Sequence, residues 1–265
     1  MYGENLMRKS DAEVTSRRER IASILENIGR ISITELSLQL DVSPLTIRRD
    51  LNYLEEEGIA SRHHGYATLK NPYGRPSGSK QIRANRAISY EAAKHVKDGD
   101  CILLNTSSVA LGILSWITAQ DVTVITNNGK ALLLNDNPPY TIILTGGEIR
   151  PPRSSMTGEV AMSCIEKVSA TKCFLGCTGI SVNYGLTSAT SPEPSINTLM
   201  MEHSQKRYIV ADSTKIGVTS NFQFGSIDEV DCLITDTGAP LKELDDFRES
   251  GVKKIITVDS SLVLK

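Results

Sequence analysis

Apolar residues recur at helical spacing three times in the first sixty positions. Within RRERIASILENI they are Ile21, Ile24, Leu25 and Ile28, and within ITELSLQL they are Ile33, Leu36 and Leu40. The third segment puts Ile47, Leu51 and Leu54 on one face, while Leu45, Arg49 and Asn52 point the opposite way with Arg48 on their flank. Ser43 stands where its hydroxyl can accept an orphan N–H of the first turn, and Pro44 at the first helical position loses nothing by lacking a donor. Gly58 ends this helix. The following IASRHHGYATL reads as a short strand, a tight turn at Gly65 and a second strand, a hairpin that carries Arg62, His63 and His64.

Three short helices and a wing make a winged helix-turn-helix, whose second helix lies in the major groove of double-stranded DNA with its N-terminal residues nearest the base edges. The candidate DNA-binding residues are therefore Ser43, Leu45, Thr46, Arg48, Arg49 and Asn52 on the helix, with Arg62, His63 and His64 on the wing. An arginine here either reads a guanine with two hydrogen bonds or holds a phosphate. The two histidines are either phosphate contacts or exposed polar residues.

Beyond residue 70 the pattern changes. NPYGRPSGSK collects Pro, Gly and Ser as a linker does, and a helix is expected from about Arg83 to Val96 with Ile88, Ala92 and Val96 on its inner stripe. Short apolar runs then alternate with helical stretches: CILLN and VALGILSWI, VTVIT and KALLLN, TIILTGG and TGEVAMSCIEKV, KCFLGC then a loop and SINTLMMEH, RYIVAD, DCLIT and LKELDDFRES, KIITV. Runs this apolar are buried on both faces, which predicts an α/β domain with a mostly parallel sheet covered by helices. Trp116, within an apolar helical stretch, reads as core.

In such sheets ligands collect beyond the carboxyl ends of the strands. Asn105, Thr106, Ser107 and Ser108 stand there, as do Asn127, the run Gly146, Gly147 and Glu148, Gly176, and Lys215 after RYIVAD. Helix-start amides, hydroxyls and a lysine suit a phosphate or another anion. Alternatively Gly146-Gly147 is only a tight turn, Asn127 only a helix cap and Lys215 only a surface lysine.

The chain's 265 residues are too many for one helix-turn-helix, so two domains are expected. The net charge of −2 hides an asymmetry: residues 1–86 hold 14 Lys and Arg against 11 Asp and Glu, and residues 87–265 hold 15 against 20. Cys101, Cys164, Cys173, Cys177 and Cys232 have no histidines at metal-ligand spacing and read as reduced core residues, so neither a metal nor a cofactor is expected. No apolar run approaches the roughly 18 residues of a membrane span, and a soluble cytoplasmic protein without membrane partners is expected.

The run SRRERIASIL…ITELSLQLDVSPLTIRRDLNYLEEEGIASRHHGYA resembles the N-terminal domain of the DeoR family of bacterial sugar-metabolism regulators, whose pattern is V-S-x-x-T-I-R-R-D-L followed by R-x-H-G-G-A. Tyr66 stands in place of that pattern's second glycine. DGD-x-I-x-L, TNN, L-x-GG, FLG…GI, GLT and ADS-x-K-x-G resemble the family's sensor domain, which is similar in fold to ribose-5-phosphate isomerase and the coenzyme A transferases. Residues 1–14 lack apolar periodicity and are expected to be a flexible arm, 15–70 the DNA-binding domain, 71–82 the linker and 83–265 an effector-sensing domain; the resemblance covers about residues 15–236. It places Asn127, Gly146, Gly147, Gly176, Glu193 and Lys215 around a small-molecule effector, commonly a phosphorylated sugar. Three stretches depart from the family. Asn105-Thr106-Ser107-Ser108-Val109 replaces D-x-G-T-T, Thr178 interrupts G-x-D-G-I, and Asn197 replaces a lysine after Glu193.

The resulting expectation is a regulator, most simply a repressor of carbohydrate genes, working as a homo-oligomer (dimer or tetramer) on a double-stranded DNA operator under control of a metabolite. An effector-independent regulator with a degenerate pocket is one alternative. A sugar-phosphate isomerase-like enzyme is another, although no assembled catalytic pair is evident and no catalytic residue is assigned.

Overall fold

The computed structural model describes residues 13–14, 16–18, 20–22, 24–25, 29–56, 60–69, 80–133, 138–149 and 154–259. Most of the expected arm, the expected stop at Gly58 and nearly all of the linker fall outside them. The chain divides into two compact units, 1–79 and 80–265.

In the first unit the described residues within 13–25 are helical (α1). There follow β1 (Arg30–Ser32), α2 (Ile33–Leu40), α3 (Pro44–Glu56), β2 (Ala60–His63) and β3 (Tyr66–Leu69). Ile21, Leu25, Leu36, Leu40, Ile47, Leu51 and Leu54, the apolar stripes of the three helices, close on one another as a single core. Ser32 starts α2 with a capping box: its hydroxyl accepts from the Glu35 N–H at 3.1 Å and the Glu35 carboxylate accepts from the Ser32 N–H at 3.0 Å. Three-residue β1 is too short to show a period of two, and periodicity missed it. It pairs antiparallel with β3, giving a three-stranded sheet ordered β1-β3-β2.

The second unit runs α4 (Lys80–Ala93), β4 (Cys101–Leu104), α5 (Ser108–Gly112), β5 (Val122–Thr126), β6 (Tyr140–Leu144), β7 (Glu148–Ile149), β8 (Met156–Thr157), α6 (Glu159–Glu166), β9 (Ala170–Leu175), β10 (Gly179–Ser181) and β11 (Gly185–Ser188). It continues with α7 (Pro192–Glu202), β12 (Ser204–Val210), β13 (Phe222–Gly225), β14 (Cys232–Asp236), α8 (Leu241–Glu249) and β15 (Ile255–Val258). Seven strands form one parallel sheet, ordered β15-β14-β12-β9-β4-β5-β6. Leu104 is level with Thr126 and Phe174, Thr126 with Leu144, and Val210 with Ile234, so the carboxyl ends of the strands lie along one edge. β4, β9 and β14 are buried almost throughout, which is why their sequences do not alternate.

Several expectations are corrected. The first helix of this unit covers Lys80–Ala93, earlier at both ends than expected; past Ala93 the Asp100 carboxylate accepts from the Lys97 N–H at 2.7 Å and holds a turn. The described part of KALLLN lies in a 3-10 stretch, Gly129–Leu133, and the helix after β4 ends at Gly112 and passes into 3-10 at Ile113–Ser115. The expected loop before SINTLMMEH contains β10 and β11, which with β13 make a small antiparallel sheet, and α7 begins at Pro192. β10 (GIS) and β11 (GLTS) are only three and four residues long and are defined by pairing rather than pattern. Trp116 is half-buried rather than core, edge-on to Tyr90 at 5.3 Å and beneath the Arg86 guanidinium at 5.2 Å.

Candidate DNA interface and candidate effector site

The Ser43 hydroxyl accepts from the Thr46 N–H at 3.1 Å and lies 2.9 Å from the Thr46 hydroxyl, so the cap that starts α3 also orients Thr46. Burial of Ile47, Leu51 and Leu54 turns the opposite face outward. Leu45 is 57 % exposed, and Arg48, Arg49 and Asn52 are exposed beside it. Among the described residues no carboxylate pairs with Arg48 or Arg49. The wing turns at His64-Gly65, where Gly65 has φ +81°. Arg62, His63 and His64 are exposed on it, and the Arg62 N–H donates to the Glu55 carboxylate at 2.9 Å, joining hairpin to α3.

One residue of this motif was not singled out by sequence. Asp50 is only 2 % exposed and accepts from Arg17 Nε at 2.6 Å and from Arg18 Nε at 3.0 Å; the Arg18 guanidinium also lies 3.8 Å from the centroid of the Tyr53 ring. Two cations of the arginine-rich first helix are thereby committed to holding α3, whereas Arg48 and Arg49 stay exposed. A buried acid one position inside an apolar stripe was the available signal.

At the carboxyl edge of the large sheet, Asn105 is buried and its amide is fully engaged. Nδ2 donates to the Gly176 carbonyl at 2.8 Å and to Asn197 Oδ1 at 3.2 Å, while Oδ1 accepts from the N–H groups of Gly176 at 3.0 Å and Ser107 at 3.2 Å. Asn105 thus ties the ends of β4 and β9 to α7. Ser107 caps α5, accepting from the Val109 N–H at 3.2 Å, and it packs so closely on Gly176 that a methyl group there would overlap its side chain. Ser108 is exposed, and the Thr106 carbonyl accepts from Asn128 Nδ2 at 3.3 Å.

Asn127, 1 % exposed, donates through Nδ2 to the Met156 carbonyl at 3.1 Å, and among the described residues its Oδ1 has no partner. A buried amide oxygen without a donor from the chain is costly, and both Asn127 Oδ1 and the Thr235 hydroxyl near the end of β14 are buried polar atoms of this kind. The helix-cap alternative for Asn127 belongs to its neighbour: Asn128 Oδ1 accepts from the Lys130 N–H at 3.1 Å. Gly146 and Gly147 have φ +71° and +111°, and a methyl on Gly147 would overlap the Thr157 carbonyl, so this pair makes a tight turn against the start of α6. Glu148 is exposed on β7, which pairs antiparallel with β8. Glu193, in the first turn of α7, accepts from the Ser188 hydroxyl at 2.5 Å.

Lys215 closes the 3-10 stretch Ser213–Lys215, which Asp212 caps by accepting from the Thr214 N–H at 3.0 Å. Its charge reaches Cys177, whose thiol burial pushes up to about 12 while Lys215 pulls it the other way. Thr178 is exposed, its hydroxyl accepting from the Ala189 N–H at 3.2 Å. The five cysteines are free thiols: Cys173 and Cys232 are buried, Cys101 and Cys177 are partly exposed but pack against the core, and Cys164 is partly exposed, which corrects its reading as core. Among the described residues no group of three or more His, Cys, Asp or Glu could hold a metal ion, and no helix is long and apolar enough to cross a membrane.

The DeoR-like helix-turn-helix domain matches residues 17–72, and the DeoR C terminal sensor domain matches residues 80–237. The chain belongs to the DeoR family. Among its relatives in that family, the HTH-type transcriptional regulator GolR of Listeria innocua is 32 % identical, over 89 % of this chain and 96 % of GolR. The lactose phosphotransferase system repressor of Streptococcus mutans is 30 % identical, over 83 % of this chain and 91 % of that protein. As in these relatives, the chain is a transcriptional regulator and not an enzyme. A solved ribose 5-phosphate isomerase from Plasmodium falciparum aligns with 49 % of this chain and 51 % of its own at 19 % identity and a TM-score of 0.35, from which nothing about function follows. Two departures from the DeoR pattern, Asn105 and Asn197, bond to each other, so both are partners within the fold.

Proposed function

We propose that the protein is a sequence-specific DNA-binding repressor of carbohydrate-metabolism genes, whose affinity for its operator is set by a small metabolite at the carboxyl edge of the second unit's sheet. The observation that carries the reading is the division of α3 into a fully buried Ile47/Leu51/Leu54 face and an exposed Leu45/Arg48/Arg49/Asn52 face. Leu45, Thr46, Arg48 and Arg49, at the amino end of that helix, meet base edges and phosphates, and Arg62, His63 and His64 on the wing meet the flanking backbone. The protein acts in the cytoplasm as a homo-oligomer on repeated half-sites, because one small module has too little interface for specific affinity.

For the effector, Lys215 and the unpartnered Asn127 Oδ1 are complementary: one attracts an anionic group, and the other requires a hydroxyl or amine donor. A phosphorylated sugar offers both. Gly146, Gly147, Glu148, Glu193 and the Thr106–Ser108 loop surround the same edge, whereas Asn105 and Gly176 serve by holding the loops. Binding of metabolite and of operator is reciprocal.

The test begins with full-length protein and a duplex selected from random DNA. Fluorescence anisotropy is then repeated over a panel of free sugars and their phosphates. A member of the panel that shifts operator affinity fivefold or more without being turned over supports the reading. Turnover contradicts it. No shift with any member, together with no thermal stabilisation, supports an effector-independent regulator instead.

A further inference from the structure

On the wing sheet, Tyr66 occupies the central strand β3, level with Ser32 of β1 on one side and His63 of β2 on the other. Its ring is stacked from both neighbours. The His63 imidazole lies 4.7 Å away, centroid to centroid, with the planes 18° apart, and the Arg30 guanidinium lies 3.6 Å from the ring centroid. His63 Nε2 is in turn 3.2 Å from the Thr68 hydroxyl. His63 and Tyr66 pair across the sheet, and Arg30 sits diagonally to Tyr66 opposite Thr68, which puts all four residues on the sheet face opposite Ile31 and Ala67. Ile31 and Ala67 belong to the core, so this second face is the outer one.

Arg30 is exposed, and among the described residues no carboxylate pairs with it. It differs in this from Arg17 and Arg18, which Asp50 holds. A guanidinium lying on an aromatic face has its plane fixed while its N–H edge stays available, the arrangement that suits two-point recognition of a phosphate. Its place along the chain fits that role. Arg30 lies three residues before α2, the helix that crosses the DNA backbone in a helix-turn-helix, and the Ile33 N–H at the start of α2 donates to the Gly65 carbonyl at the wing tip at 3.0 Å.

We infer that Arg30, held on the Tyr66 ring, is an additional contact to a DNA backbone phosphate, joining the wing and the start of α2 into one phosphate-binding edge. The inference rests on the reading of this unit as a DNA-binding module. Tyr66 is a positioning residue in it, and Arg30 carries the contact.

The experiment measures full-length protein on a duplex selected with the unaltered chain, at several salt concentrations. Arg30→Ala and Arg30→Gln should each lower affinity roughly tenfold, equally for the selected duplex and its single-base variants, and reduce the slope of log K against log salt by about 0.9. Tyr66→Phe should keep both values. Tyr66→Ala should weaken binding in the otherwise unaltered chain and change nothing further in the Arg30→Ala background. An unchanged salt slope in both Arg30 variants overturns the inference, whatever happens to affinity. Arg48→Ala measured beside them separates the two levels: if it too binds normally, the DNA reading of α3 fails, and if it alone binds weakly, only the role given to Arg30 fails.

Discussion

Asp50 accepts a 2.6 Å hydrogen bond from Arg17, so α3 is anchored to the first helix by a carboxylate that is only 2 % exposed, with Arg18 on its other oxygen at 3.0 Å. The two sides of this cluster are unequal. Arg17 and Arg18 are 20 % and 27 % exposed and can turn to water, whereas the carboxylate cannot. Asp50→Ala should therefore cost about 1–2 kcal/mol, and the Arg17→Ala, Arg18→Ala double variant, which strands a buried charge, about 3–5 kcal/mol. Urea denaturation of the full chain followed by circular dichroism would rank them; the reverse order would show that Asp50 is solvated.

Asn105 and Asn197 form a neutral bridge where the DeoR pattern has an acid and a lysine. Asn105→Asp should lose the donor to the Gly176 carbonyl, and Asn197→Lys should bring a charge into a 4 % exposed position, each costing about 1–3 kcal/mol. The double variant should recover at least about 1 kcal/mol of their sum through the restored pair. Thermal denaturation of the four proteins closes the cycle, and strict additivity would mean that the two side chains do not interact.

Gly65 and Gly147 both have positive φ but differ in surroundings: a methyl on Gly65 would meet nothing within 4 Å, whereas one on Gly147 would overlap the Thr157 carbonyl. Gly65→Ala should cost about 1–2 kcal/mol, the left-handed penalty alone. Gly147→Ala should cost more than about 3 kcal/mol, because strain and overlap add. Equal losses by calorimetry would count against the packing of the Gly146-Gly147 turn on α6.

His95 has its pKa lowered, first by burial and then by the charges of Lys254, Lys172 and Lys94, against an opposing pull from Glu91; its ring lies 5.3 Å from that of Tyr208. A depressed imidazole pKa means that the unfolded chain binds the proton more readily. Stability should be greatest above the ordinary value of about 6.5 and fall as pH drops from there through the folded value. His95→Gln should flatten the pH dependence of the melting temperature in that window. A variant with an unchanged pH profile would show that His95 is not the group responsible.

The sequence pattern was most informative where burial and period coincide. Ile47, Leu51 and Leu54 announced the buried side of α3, and CILL and DCLIT announced strands covered on both faces. It was silent on β1, β10 and β11, whose three or four residues owe their conformation to partners distant in the chain. The candidate site shows the same division. Strand-end position was enough to expect Asn105, Asn127 and Gly176 together at one edge, because a parallel sheet brings all its carboxyl ends to one side. Which amide is saturated, as in Asn105, and which retains an unpartnered oxygen, as in Asn127, depends on loops folding back from β8, β9 and α7. No local spacing encodes that.

The central claim is that the exposed side of α3 reads DNA, and the most direct measurement is the affinity of the Arg48→Ala and Arg49→Ala variants for a duplex selected by the unaltered full-length chain. Both substitutions lie off the Ile47/Leu51/Leu54 face and should leave the fold intact by circular dichroism. Each should weaken binding. If an arginine meets a guanine, discrimination at one base pair should fall by about 1–3 kcal/mol; if it meets a phosphate, affinity should fall uniformly with a shallower salt dependence. Folded variants that both bind the selected duplex as tightly as the unaltered chain would contradict the account.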